Sequence, residues 1–336
     1  MKAKKWMPAV AVVLLACLLP VVVRSNYVMQ FLITMMLYAY LATSWNIIGG
    51  YAGQMAQGNG VYFGIGAYIS TVLFMYEGVS PWVGMLIGGG FAVLLALGVG
   101  ALTFRLNGTY FALSTVALLH VVRMLVISNE RILGYETRGP IGLYIPWLGE
   151  SLRNMQFVEK TGYFYIVLGL LVIGILVSWT VKNTRTGYYL AAINTNQEAA
   201  SSLGVNVLKM KLRAYCLSAF MMAVGGTFYA QFISVVDPTR VLGYDLSVQI
   251  VLYAVIGGKG TLWGPVLAAL TLAPLNDILR AAFGARVSGL ALLIYGLITM
   301  LIVVFLPGGL WPFISGKAAE RKRRRQSGLA KTDSRS

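Results

Sequence analysis

Long apolar runs separated by short polar stretches make up most of the chain. A helix needs roughly 20 apolar residues to cross a bilayer, and about 17 to 25 are tolerated. This pattern predicts an all-α polytopic membrane protein with about ten transmembrane helices. Two of the runs are short, so eight helices plus re-entrant segments are the alternative. The predicted spans are 6–23, 27–48, 61–76, 82–102, 109–127, 163–181, 214–234, 246–257, 263–281 and 289–306.

Positive charge is distributed unequally between the two sides of these spans. Ten crossings place both termini on the side of the central polar loop 182–213, and 18 of the 27 Lys and Arg residues fall there. The opposite side and its span ends hold 8. Because cytoplasmic segments carry the excess of Lys and Arg, we expect a multi-pass inner-membrane protein with both termini and loop 182–213 in the cytoplasm and loop 128–161 outside.

The chain ends differ in composition from the membrane domain, which we assign to residues 1–315. Residues 316–336 form a basic tail that includes Arg321, Lys322, Arg323, Arg324 and Arg325, and we expect it to be disordered, cytoplasmic and attracted to anionic lipid. The first apolar run follows three lysines, as in a signal peptide. No small-x-small cleavage site follows it, so we interpret it as an uncleaved first helix.

Composition excludes several classes of protein. The chain is 58% hydrophobic and 11% charged, whereas soluble domains are about a quarter charged. The net charge of +16 comes from residues flanking the spans, so we expect no nucleic-acid partner. Cys17 and Cys216 lie in apolar runs without metal-ligand spacing, and we expect no metal or cofactor. The chain has no P-loop, paired carboxylates or nucleophile elbow, so we do not expect an enzyme.

Two glycine-rich stretches adjoin the short runs. Glycine-rich backbone is tolerated at membrane depth only where protein or a water-filled cavity surrounds it, and interrupted spans in corresponding places indicate a transport path. Freed N–H and C=O groups would suit a zwitterionic amino acid. Tight packing of helices is the other interpretation. The candidate path residues are Gly58, Asn59, Gly60, Gly257, Gly258 and Gly260.

One predicted span carries ionisable residues on a single face. His120 and Arg123 lie three positions apart, so their side chains are neighbours on a helix. Ionisable groups within the membrane favour a functional role. Alternatively, Arg123 extends towards the membrane surface and His120 is a neutral core residue.

The central loop carries the signal of a short exposed helix. Thr195-Asn196-Gln197-Glu198 has the spacing of a capping box, which predicts a helix capped by Thr195, and Gly204 can adopt the left-handed conformation that ends it. Glu198-Ala199-Ala200-x-x-x-Gly204 also matches the E-A-A-x-x-x-G pattern with which permeases of ABC importers contact their ATPases. A capped connector with an accidental match is the alternative.

Three separated stretches together resemble one family, the LivM-type branched-chain amino-acid permease subunits of ABC importers. The stretches are Gly50-Tyr51-Ala52-Gly53-Gln54 through Phe63-Gly64-Ile65-Gly66-Ala67-Tyr68, the Glu198 to Gly204 loop, and Gly257-Gly258-Lys259-Gly260-Thr261-Leu262-Trp263-Gly264-Pro265. The resemblance implies a permease that moves amino acids with energy from separate ATPases. It also implies a second permease, in a heterodimer, two ATP-binding subunits and an extracytoplasmic solute-binding protein as partners.

The chain departs from this family at positions that substrate or its carrier protein would pass. Ala56 and Gly58-Asn59 stand where the family commonly has Ser and Gly-His, and Gly134-Tyr135-Glu136 where it often has Thr-Gly-Gly. The solute therefore stays open, with urea or short-chain amides as alternatives. An ion-coupled secondary carrier is the alternative from another class, but such carriers usually need acids deep in a span, and this chain has none.

Overall fold

The computed structural model of the protein describes residues 17–20, 25–105, 108–132, 134–283, 289–306 and 308–316. Helices dominate this part of the chain, and four two-residue strands form two small antiparallel pairs. The helices are α1 (Asn26–Asn46), α2 (Gly60–Glu77), α3 (Pro81–Thr103), α4 (Gly108–Ser128), α5 (Lys160–Asn183), α6 (Arg185–Thr195), α7 (Gln197–Ser202), α8 (Val207–Ile233), α9 (Pro238–Val241), α10 (Tyr244–Gly258), α11 (Gly264–Phe283), α12 (Leu290–Phe305) and α13 (Leu310–Gly316).

The all-α polytopic class predicted from the apolar runs is confirmed. Seven helices of the described residues are long and apolar enough to cross a membrane, or up to eight if α12 and α13 form one bent span. The count of about ten is not confirmed. The predicted span 6–23 lies largely outside the described residues, as does nearly all of the tail 316–336.

Helix α8 is the centre of one half of the bundle, where it packs along α2 and α3. Small residues allow the backbones to approach closely. A Cβ atom added at Gly66 of α2 would run into the backbone of Ala223, and one at Gly226 of α8 would run into the carbonyl of Phe63. Such small-residue contacts are how helices pack in lipid, where the hydrophobic effect gives no drive between them.

Helix α1 is the centre of the other half and packs against α5, α10 and α11. Helix α4, in contrast, lies at the periphery. Its buried residues Phe111, Thr115 and Leu119 recur every four positions and therefore share one face. The other residues of α4 are exposed or half-buried in the part of the chain that the structure describes, and Leu118, Val122 and Val126 among them pack against the core.

Loop 128–161 forms an ordered cover over one end of the bundle, which we call the long-loop side. Strand β1 (Arg131–Ile132) pairs with β2 (Tyr135–Glu136), and β3 (Leu143–Tyr144) pairs with β4 (Val235–Val236), which follows α8. The hydroxyl of Tyr135 donates to Glu77 at the end of α2, and this hydrogen bond raises the pKa of Tyr135 above its usual value. The loop is thereby tied to the ends of the spans.

The opposite end of the bundle, which we call the central-loop side, holds α6, α7 and the connection from α10 to α11. A Cβ added at Gly258 would contact the ring of Pro312 in α13. The last described helix therefore lies on the same side as loop 182–213.

Candidate functional site

The chain between α1 and α2 is not helical, although the rest of both helices is regular. Helix α1 passes into a π-helical turn, Ile47–Tyr51, and residues 53–58 have no regular structure before α2 begins at Gly60. We call residues 52–60, which end with the first residue of α2, the break. Such π turns are frequent at functional sites. Five of the nine residues 52–60 are buried and the other four are half-buried, so the backbone groups of the break need partners inside the protein.

Two hydroxyl groups from distant helices supply those partners. The Thr115 Oγ1 atom of α4 accepts from the N–H groups of Gln57 and Gly58 at 3.1 and 3.2 Å. The Ser247 Oγ atom of α10 accepts from the Gly60 N–H at 2.8 Å. Both side chains are buried. The break is therefore held between α4 and α10 by single hydroxyl groups.

The Ala56 carbonyl is the other fixed point of the break. It accepts from the Trp45 indole Nε1 at 2.6 Å and from the Asn59 Nδ2 at 2.9 Å. Asn59 is 1% exposed and makes no cap for α2. Its amide is thus directed into the break.

Position 58 must be glycine because the backbone of another helix approaches it closely. A Cβ atom there would run into the main-chain carbonyl of Thr115, and backbone cannot move aside as a flexible side chain can. The contact places the break directly against α4. The predicted path residues Gly58, Asn59 and Gly60 therefore lie together at the junction of α2, α4 and α10.

The second glycine-rich stretch forms the turn from α10 to α11. Gly258 and Gly260 have φ angles of 113° and 73°, a region that favours glycine. The side chain of Asn46 spans the turn: its Oδ1 accepts from the Gly260 N–H at 3.0 Å and its Nδ2 donates to the Thr261 carbonyl at 2.8 Å. This turn thus packs against the end of α1.

The two predicted glycine sites therefore do not form one cluster. The first site contacts Ser247 near the start of α10, whereas Gly257 lies at its end. Ten residues of helix separate these positions, or about 15 Å. Gly257 itself faces the backbone of Gly264 in α11, which is a helix-packing contact.

His120 and Arg123 lie on α4, and no hydrogen bond joins them in the part of the chain that the structure describes. The ring of His120 lies 6.2 Å from that of Tyr244, centroid to centroid. His120 is exposed and Arg123 half-buried. His120 therefore lies on the exposed part of α4, whereas Arg123 is partly covered by the described residues.

The short helix of the central loop exists, but the predicted capping box is wrong. Thr195 is the last residue of α6, and its hydroxyl donates to the Ala191 carbonyl. The N-cap of α7 is Asn196, whose Oδ1 accepts from the Ala199 N–H at 3.0 Å. The helix starts one residue later than predicted because α6 continues to Thr195, which leaves Asn196 as the first extended residue.

The predicted end of this helix at Gly204 is confirmed. Gly204 has a φ of 83°, and its N–H bonds to Ser201 while the Val205 N–H bonds to Ala200. This pair of bonds is the Schellman motif. Ala200 is 3% exposed and packs within the chain, whereas Leu203 is 85% exposed. The outer surface of α7 thus consists of Gln197, Glu198, Ala199, Ser201, Ser202 and Leu203.

Lys211 is a site residue that the sequence did not indicate beyond its charge. It lies in the second turn of α8 and is 4% exposed. Its ammonium group donates to Gln197 Oε1 at 2.7 Å and lies 5.8 Å from the centre of the Phe104 ring. A single buried cation therefore connects α7 to the end of α3.

Aromatic rings continue this connection into the bundle. Phe104 stacks on Phe111 of α4 at 4.9 Å and meets Tyr215 of α8 at 5.5 Å. Tyr215 in turn contacts Tyr62 of α2 at 5.5 Å. The contacts run from α7 to the first turn of α2, next to the break. Within the described residues, no group of three or more His, Cys, Asp or Glu side chains is placed to hold a metal ion.

Comparison with known proteins gives one family. The family described as "Branched-chain amino acid transport system / permease component" matches residues 27–305. The permease LivM of the high-affinity branched-chain amino acid transport system of Escherichia coli is 26% identical over 90% of this chain and 74% of its own length. Its Salmonella typhimurium counterpart is 26% identical over 82% of this chain and 68% of its own length.

Relatives with other named solutes match a smaller part of the chain. The ribose import permease RbsC of Haemophilus influenzae is 26% identical over 63% of this chain and 62% of its own length. No solved structure gives a significant match. The family match covers most of the chain, including the break and α7, and the chain therefore belongs to the family of branched-chain amino acid permease components, as a multi-pass membrane permease of ABC type.

Proposed function

We propose that this permease moves branched-chain amino acids across the inner membrane as one subunit of an ABC importer, with ATP hydrolysed by separate partner subunits. The choice of solute rests on how much of the chain each relative matches. The LivM relatives align over 82 to 90% of this chain, whereas the sugar permease RbsC aligns over 63% or less. Two ATP-binding subunits, a second permease in a heterodimer and a solute-binding protein complete the proposed importer.

The proposed contact with the ATPases is the outer surface of α7. Glu198 and Ala199 are exposed there, and Leu203, the C-cap of the same short helix, is 85% exposed. Leu203 adds an apolar side chain to this polar surface, and the partner would cover it. Asn196 and Gly204 fix the two ends of the helix, so α7 can transmit a displacement without unwinding. Thr195 would affect the contact with the ATPases only indirectly, as the last residue of α6. Ala200 would affect it through its packing within the chain.

We propose that the central-loop side faces the cytoplasm, as the excess of Lys and Arg favours. The long-loop side then faces the solute-binding protein. Its loop carries large apolar side chains with little cover, which favours contact with a partner. They are Ile141, Tyr144, Trp147, Leu148, Leu152 and Val158.

The uncovered part of α4 is the proposed contact with the second permease. His120 lies at the middle of this 21-residue helix and is exposed, and an imidazole facing lipid at that depth is costly. A second permease that covers α4 would remove this cost. Arg123 lies one turn further along the helix, so both ionisable groups would lie near the boundary between the two permeases.

The break is the proposed gate of the transport path. Among the described residues, the hydroxyl groups of Thr115 and Ser247 alone accept from the N–H groups of Gln57, Gly58 and Gly60. A small displacement of α4 or α10 would free these donors, which could then bind a substrate carboxylate. Gly257, Gly258 and Gly260 would support the path from the other end of α10, through the turn that Asn46 fixes.

Uptake measurements test this function. The permease is co-expressed with its ATPases and second permease, reconstituted in vesicles that contain ATP, and supplied with its binding protein and labelled leucine or ribose. We expect ATP-dependent leucine uptake that persists with a protonophore, and none with an ATPase variant that cannot hydrolyse ATP. Ribose uptake without leucine uptake would overturn the solute, and uptake that needs an ion gradient but no ATP would overturn the mechanism.

A further inference from the structure

A groove between α3 and α8 opens on the central-loop side of the bundle. Its cavity volume is about 460 Å³. Val93 and Leu97 of α3 form one wall, and Leu208, Leu212 and Cys216 of α8 form the other. The α8 wall extends from Leu208 to Cys216, a rise of about 12 Å along the helix. The groove is therefore long enough for part of an acyl chain, and its walls are apolar.

Two cations lie at the mouth of this groove. Lys209 and Arg213 line it and are both exposed. They are four residues apart on α8, where like charges repel each other. Neither takes part in an ion pair among the described residues. An anion at the mouth would relieve this repulsion.

The neighbouring surface is the part of α3 that this chain leaves uncovered. Leu94 and Leu102 are 65% and 76% exposed, and α3 is one of the helices apolar enough to span a membrane. The groove thus opens towards lipid along its length and towards the membrane surface at its charged end. An amphiphile with an anionic head and an apolar tail matches both features.

We propose that this groove binds an anionic phospholipid, with its phosphate between Lys209 and Arg213 and one acyl chain along Leu97, Leu212 and Cys216. The lipid belongs to the leaflet on the central-loop side. It would fill the space between α3 and α8 and so hold these two helices together near the start of α8.

Lipid retention by the full-length protein tests the proposal. The protein is purified in detergent, mixed with equal amounts of phosphatidylglycerol and phosphatidylcholine, and analysed by native mass spectrometry. We expect preferential retention of phosphatidylglycerol. Each of Lys209→Gln and Arg213→Gln should weaken this retention by about fivefold, which is the attraction of one Lys or Arg to an anionic membrane surface.

The matched control removes the same charge elsewhere on the central-loop side. Arg185 and Lys259 are exposed and lie outside the groove, so Arg185→Gln with Lys259→Gln should retain phosphatidylglycerol as the wild type does. A second variant, Leu208→Glu, places a carboxylate beside the two cations and should abolish the preference without removing either cation. Size-exclusion profiles confirm that each variant is folded.

Three results would overturn the proposal. The first is equal retention of the two lipids by the wild type. The second is unchanged preference when Lys209→Gln and Arg213→Gln are combined. The third is full displacement of phosphatidylglycerol by an excess of glycerol 3-phosphate, because a site for free phosphate would not need the apolar walls. Retention that resists glycerol 3-phosphate and falls in both groove variants supports the lipid.

Discussion

The hydrogen bond between Lys211 and Gln197 leads to an asymmetric prediction. Gln197 is exposed on α7, whereas Lys211 is 4% exposed. Truncation of a buried residue usually costs more stability than truncation of an exposed one. Here we expect the reverse, because Gln197→Ala leaves a buried ammonium group without its 2.7 Å acceptor, whereas Lys211→Met removes the charge together with the need for a partner.

The magnitudes follow from the contacts of each side chain. A hydrogen bond to a charged group contributes about 1.5–3 kcal/mol, so Gln197→Ala should lower the free energy of unfolding by about that amount. Methionine keeps most of the volume of lysine, and apolar replacement of a buried ion is often neutral. Lys211→Met also loses the contact with Phe104, which is worth about 0.5–1 kcal/mol. Its total cost should therefore stay within about 1 kcal/mol.

Unfolding of the purified protein by sodium dodecyl sulfate in mixed micelles measures both variants. The double variant should match Lys211→Met alone, because Gln197 then has no buried cation to satisfy. Lys209→Met, two residues earlier and exposed, is the matched control and should change little. The reasoning is refuted if Lys211→Met costs more than Gln197→Ala.

Three further predictions concern the break, the contact of α7 with the ATPases and the orientation of the protein in the membrane. Thr115→Val removes the acceptor of one buried and one partly buried N–H group and should cost roughly 1–3 kcal/mol of unfolding free energy and reduce uptake, whereas Ser114→Ala, its neighbour, should change both less. Leu203→Arg should leave the protein folded and reduce co-purification of the ATPases; unchanged co-purification would exclude α7 as their contact. A cysteine at Asn154 should react from outside intact cells with a membrane-impermeant thiol reagent and one at Glu198 should not, and the opposite pattern would reverse the orientation.

The helices were predictable because each signal is local. A run such as 82–102 is apolar throughout and ends at polar residues, so length alone identifies α3. Gly204 was predictable for the same reason, since a short helix must end near a residue that tolerates positive φ. The N-cap of α7 was not predictable, because Thr195 and Asn196 are both good N-cap residues. The choice between them depended on the length of α6, which the local sequence does not determine.

The partners of the break were not predictable because they are distant in sequence. Thr115 lies 57 residues from Gly58, and Ser247 lies 187 residues from Gly60. Serine and threonine are common in membrane helices, where most bond to their own backbone, so neither residue stood out. Lys211 could not be identified as buried because the exposed Lys209 and Arg213 lie two positions away on either side. The local sequence does not indicate which of these three cations faces the protein interior.

Asn46 makes the contacts at the two ends of α10 unequal. Its amide makes two hydrogen bonds to the turn at Gly260 and Thr261, and a Cβ atom at Gly50 would run into the same turn. The end of α1 and the turn after α10 are therefore joined by a close approach of their backbones and by the two hydrogen bonds of the Asn46 side chain. At the other end of α10, one hydroxyl group makes the contact with the break.

A displacement that starts at α7 and passes through Phe104 and Tyr215 would therefore separate the break from α4 or α10 before it separated α1 from the Gly260 turn. For this reason the hydroxyl groups of Thr115 and Ser247, and not the second glycine-rich turn, are the places where the path should open.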